Sequence, residues 1–98
     1  MTGPGQSSDR TILHATCVAL DGRGLLILGP SGAGKSSLAL RLLALGALLV
    51  SDDRTALWVE GGQVLARCPR PATLGLIEAR GIGLLRAPTV DRAPVTLV

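Results

Sequence analysis

The residues with the clearest chemical potential form one continuous run, Gly29-Pro30-Ser31-Gly32-Ala33-Gly34-Lys35-Ser36. Glycine has no Cβ, so a run spaced in this way lets successive backbone N–H groups turn inward on one anion. A helix opening at Lys35 would add the partial positive charge of its N-terminus. Lys35 offers a compact, mobile ammonium for the β- and γ-phosphates of a nucleoside triphosphate. The Ser36 hydroxyl is a hard oxygen suited to magnesium. The spacing is the P-loop pattern G-x-x-x-x-G-K-[ST], which carries weight when an apolar strand precedes it and a helix follows it. Both contexts are present, so these eight residues are expected to hold a nucleoside triphosphate with Mg2+.

A second group is Asp52-Asp53, which with Ser51 ends the apolar run 47–50. P-loop proteins use a carboxylate in such a place to face the metal and the phosphates. If the pair continues a strand, alternation turns one carboxylate toward the site and the other away. The second could then hold the metal's water shell or pair with an arginine. Two aspartates can also simply cap a turn. Taken alone, His14 in an apolar run reads as a core or edge histidine, and Glu78 and Arg80 read as a surface pair on a strand or turn.

These groups need elements to position them. Residues 11–20 are rich in β-branched and apolar side chains and predict one strand, turned by Asp21-Gly22-Arg23-Gly24 into a second at 25–28. Residues 35–45 favour a helix, with Gly46 where a left-handed C-terminal cap would sit. Leu38, Leu42 and Leu45 share one face of it and Leu40 and Leu43 lie on others, so the helix is expected to be covered on both sides. A buried strand at 47–50 follows, then a hairpin of 55–60 and 63–67 about Gly61-Gly62, which makes the sheet mixed. Beyond Pro69 and Pro71 the chain is loop-like, broken by an element at 74–85, and it stops inside a strand-like run at 95–98. Gly81 and Gly83 suggest a flexible loop.

Ninety-eight residues with 47% apolar content predict one α/β domain with a small core. The expected division is a flexible start at 1–10 and a single domain at 11–98, incomplete at its C-terminal side. The net charge of +3 comes from basic residues scattered along the chain, and Trp58 is the only aromatic ring. Nucleic-acid binding is therefore not expected. Residues 38–50, the most apolar stretch, are interrupted by Arg41 and Gly46 and fall short of the ~20 residues that cross a bilayer. Cys17 and Cys68 form no C-x-x-C pair, and the single histidine completes no metal set with them. A reduced, cytoplasmic chain without membrane association is the expectation.

Three segments together, Gly29 to Ser36, then Leu49-Val50-Ser51-Asp52-Asp53-Arg54, then Ile77-Glu78-Ala79-Arg80-Gly81-Ile82-Gly83, resemble the catalytic domain of HPr kinase/phosphorylase. His14 stands at a fitting distance before the first. The resemblance implies a P-loop domain with a mixed sheet, related to phosphoenolpyruvate carboxykinase. It implies phosphorylation of a serine of HPr, the phosphocarrier of the sugar phosphotransferase system, using ATP and Mg2+, with phosphorolysis in many members. By position it makes His14, Lys35 and Arg80 catalytic and makes one of Asp52 and Asp53 the base, Asp53 by first choice. Ser36 and Glu78 become magnesium ligands. Ser37 stands where many members carry Glu, and Ala79 where a β-branched residue is usual. Longer members have an N-terminal regulatory domain and continue past the position of Val98, with a further arginine and helices that dock HPr and form homo-oligomers. An ATP-binding sensor or inactive fragment, or a P-loop kinase of a small molecule, are the alternative functions.

Overall fold

The computed structural model describes residues 10–29, 35–70, 74–79 and 83–98, and of residues 35, 36, 78 and 79 it describes the backbone alone. In chain order the elements are β1 (Thr11–Leu13), β2 (Ala15–Leu20), β3 (Arg23–Leu28), α1 (Lys35–Ala44), β4 (Leu48–Ser51), β5 (Thr55–Glu60), β6 (Gln63–Arg67), β7 (Leu76–Ala79), β8 (Gly83–Arg86) and β9 (Arg92–Leu97). A seven-stranded sheet runs β1-β5-β6-β9-β3-β2-β4, and β7-β8 form a separate pair. Pairing is parallel between β3 and β9 and antiparallel between the other sheet neighbours, which is the mixed sheet the sequence predicts.

Residues 11–20 do not form one strand. The chain bends at His14, and the two parts pair with different partners, β1 with β5 and β2 with β3 and β4. Because β1 and β2 lie on opposite sides of the strand order, the bend requires the sheet to curl. Small side chains permit that curl. Ala15, Cys17 and Ala19 of β2 pack with Leu26, Val50, Ala66 and Ala93 in one core cluster. On the other face of β2, Val18 joins Ala39, Ala47, Leu49 and Ile77 beneath α1. This is the period-2 alternation of a strand buried on both faces.

The β2–β3 turn is tighter than the sequence suggests. Asp21 and Gly22 both have positive φ, 53° and 76°, as a two-residue hairpin turn requires. Gly24 therefore lies inside β3 opposite Ala19. Its missing side chain serves a different purpose, since a Cβ there would stand 2.8 Å from the Pro94 carbonyl oxygen of β9.

The expected cap closes α1. Gly46 has φ 107°, its N–H donates to Leu43 O at 3.0 Å, and the Ala47 N–H donates to Leu42 O at 3.1 Å, the paired bonds of a Schellman motif. The expectation that the helix is covered on both sides holds only in part, since Leu38 is 45% and Leu45 77% exposed. The sheet takes the Ala39 side and β7 takes another through Ile77, while those two leucines face outward among the described residues. The hairpin about Gly61-Gly62 has the expected strands, 55–60 and 63–67. The element expected at 74–85 is the β7–β8 pair, and the terminal strand begins at Arg92, earlier than its apolar run indicates.

Candidate active site at one end of the central strands

Strand β2 lies between β3 and β4, and its N-terminal end meets the C-terminal ends of both. Ala15 is opposite Leu28, so His14 on one chain and Gly29 on the next leave the sheet side by side. Cys17 is opposite Ser51, so the chain leaving β4 at Asp52 emerges on the other flank. One end of the sheet thus gathers His14, the start of the glycine run and the aspartate pair. The backbone enters α1 at Lys35 and Ser36 after that run. Of the eight expected phosphate-binding residues, Gly29 is described, with φ 143°, a backbone region open to glycine. Pro30, Ser31, Gly32, Ala33 and Gly34 lie outside the described residues, as do the side chains of Lys35 and Ser36.

Asp52 and Asp53 are not strand residues, so alternation does not decide where they point. A register shift in the β2–β4 pairing places Val18 opposite Leu49 and Cys17 opposite Ser51, with Val50 as the extra residue. Such a bulge bends a strand and re-aims the residues beyond it. After Ser51 the Arg54 N–H donates to Asp52 O at 2.8 Å, and the residue between them, Asp53, has φ 68°. This is a γ-turn with a positive central φ, the rarer and more strained form. Strain of this kind costs roughly 1–3 kcal/mol. Several hydrogen bonds offset it. The Thr16 hydroxyl donates to Asp52 Oδ1 at 2.9 Å, the Asp53 N–H donates to Thr16 Oγ1 at 3.0 Å, and Ser51 Oγ donates to Arg54 O. At about 0.5–1.5 kcal/mol each, and more where a carboxylate accepts, they are of the size needed to offset the strain.

His14 is exposed, at the bend itself. The start of β2 is held there by Thr55, a fully buried residue whose hydroxyl donates to Ala15 O at 2.8 Å. Glu78 belongs to β7, with its backbone opposite Leu84. That strand is not part of the large sheet and packs instead over α1, β2 and β4 through Ile77. Arg80 lies outside the described residues.

Most of the chain is matched by known proteins. A family model described as the HPr Serine kinase C-terminal domain matches residues 5–90. The chain belongs to this family. HPr kinase/phosphorylase of Clostridium beijerinckii is 41% identical over 80 residues, covering 82% of this chain and 26% of its own length. The protein of that name from Mycoplasmopsis pulmonis is 42% identical over 73 residues, 74% of this chain and 23% of its own. The solved HPr(Ser) kinase/phosphatase from Coxiella burnetii superposes with a TM-score of 0.80 at 34% identity, covering 89% of this chain and 62% of that one. The fold is accordingly the HPr kinase-like α/β fold with a mixed sheet. The chain spans about a quarter of the length of these curated relatives, 26% and 23%.

Sequence reasoning passed over Thr16 and Thr55. Each is a hydroxyl at 0% exposure in a strand of otherwise mainly apolar residues, and both are hydrogen-bonded. A polar residue set among Ala15, Cys17 and Val18 is the available signal, because a buried hydroxyl demands a partner.

Proposed function

We propose that this chain transfers the γ-phosphoryl group of ATP, with Mg2+, to a serine of the phosphocarrier protein HPr, leaving ADP, and removes it in a separate phosphorolysis in which inorganic phosphate takes the phosphoryl group to give pyrophosphate, in the cytoplasm. The observation that carries the reading is the convergence of His14, Gly29 and the Asp52-Asp53 turn at one end of β2, β3 and β4. The donor set fits Mg-ATP. Two carboxylates stand at the end of β4, a ten-residue helix opens where the glycine run ends, and the first two helical residues are a lysine and a serine. Ser36 and Glu78 would hold the metal by hard oxygens, and Lys35 with the amides from Gly29 onward would hold the phosphates. Bound Mg-ATP supplies the phosphoryl group and neutralises part of its charge.

Within that arrangement Asp53 is assigned the base. A carboxylate beside the reacting phosphate takes the serine proton as the oxygen attacks, and in phosphorolysis returns it to the serine oxygen as that oxygen leaves phosphorus. Asp53 stands at the apex of the γ-turn, next to Asp52, whose Oδ1 accepts the Thr16 hydroxyl. His14 and Arg80 are assigned to hydrogen-bonding the transferring group, a role that positioned donors fill in other phosphoryl-transfer sites. Transfer of labelled γ-phosphate from ATP to purified HPr tests the proposal, with nucleotide binding measured separately. Wild-type transfer with loss in Asp53→Asn, binding retained, is expected. Equal transfer by the variant would overturn the base assignment, and binding without transfer by the wild type would point to a nucleotide-sensing module.

A further inference from the structure

We propose that Thr16 is a positioning residue for phosphoryl transfer, setting the stance of both aspartates from beneath through one hydroxyl. This rests on the functional reading above. The single proton of the hydroxyl goes to Asp52 Oδ1 at 2.9 Å, and one of its lone pairs receives the Asp53 N–H at 3.0 Å. Thr16 therefore holds the first aspartate by its side chain and the second by its main chain.

Three features make this a point of control. Thr16 is fully buried, paired with Ile27 of β3, and next in the chain to Cys17, which pairs with Ser51 of β4, so its backbone is held in place. It is β-branched, so χ1 is restricted and Oγ1 has little room to wander. The segment it holds is a strained γ-turn following a bulge, with Asp52 and Asp53 beyond the end of β4. Without the hydroxyl the bond from the Asp53 N–H to Thr16 is lost, and the turn can relax toward a commoner backbone conformation, carrying the Asp53 carboxylate with it. A misplacement of about 1 Å in a reacting group can cost roughly 10²-fold in rate.

The test uses the full chain as wild type, Thr16→Val and Thr16→Ser. Valine keeps the shape and removes the hydroxyl; serine keeps the hydroxyl. Transfer to HPr is measured as kcat and as KM for ATP, and hydrogen exchange is followed at the Asp53 amide. Thr16→Val should lower kcat by about 10- to 100-fold, with KM for ATP within about twofold. Exchange at the Asp53 amide should speed up by about tenfold or more. Thr16→Ser should stay within about threefold of wild type in both readouts. Wild-type kcat in Thr16→Val would overturn the proposal, and so would a Thr16→Ser variant as impaired as Thr16→Val, since packing would then be the cause. A wild type that binds nucleotide yet transfers nothing would overturn the functional reading and the catalytic half of this one. Exchange at Asp53 would still decide the anchoring half, which unchanged protection in Thr16→Val would sink.

Discussion

Cys17 makes the packing beneath the aspartate turn measurable by pH. It adjoins Thr16 in β2, stands opposite Ser51 of β4 and is 0% exposed. Burial pushes its thiol up from 9.0 to about 12, because the thiolate loses its hydration. The native state thus keeps a proton that the unfolded chain gives up above pH 9. The associated stability is fully present below the unfolded value and is lost as pH rises from 9 toward 12. Three units correspond to about 4 kcal/mol in full, of which about 1.4 kcal/mol disappears between pH 8 and pH 10. Urea denaturation of wild type and Cys17→Ala at those two pH values, under reducing conditions, separates this from every other titration, since Cys68 and the basic residues are common to both. The wild type should lose about 1.4 kcal/mol more than the variant. Equal losses would show that the thiol is not held in a dry core, and the close packing of β2 against β4 would be wrong.

Two further predictions concern the joint of the sheet and the apex of the turn. Gly24→Ala places a methyl 2.8 Å from the Pro94 carbonyl oxygen, a backbone atom that no rotamer change can move, so denaturation should show a loss of roughly 1–3 kcal/mol. A loss below about 0.5 kcal/mol, within the range of ordinary surface substitutions, would mean that β3 and β9 are not so close. Asp53→Asn keeps size and tolerance of positive φ, so its denaturation midpoint should match wild type while HPr phosphorylation falls about 10²- to 10⁴-fold, the usual worth of a general base. A large fall in the midpoint would assign Asp53 to the fold instead.

Much of this organisation is legible from residue order. The glycine pair at 61 and 62 between alternating strands, the helix stop at Gly46 and the apolar run before Asp52 each have a local physical cause that the structure repeats. The failures are long-range. Nothing local bends the chain at His14; the bend arises because β5 pairs with the residues before it and β3 with those after, while Thr55 pins Ala15. The exposure of Leu38 and Leu45 depends on where β7 lands on α1, which periodicity does not encode. For the aspartate pair, strand alternation was the wrong rule, because a bulge at Val50 and a partner thirty-six residues away, Thr16, shape a turn instead.

The central claim is that the end of the sheet where β2, β3 and β4 meet grips a nucleotide's phosphate tail, and titration calorimetry with Mg-ATP tests it most directly. Saturable heat from the wild-type chain, largely abolished in Lys35→Ala, is the result predicted. No heat from the wild type, or the same isotherm from both proteins, would contradict it.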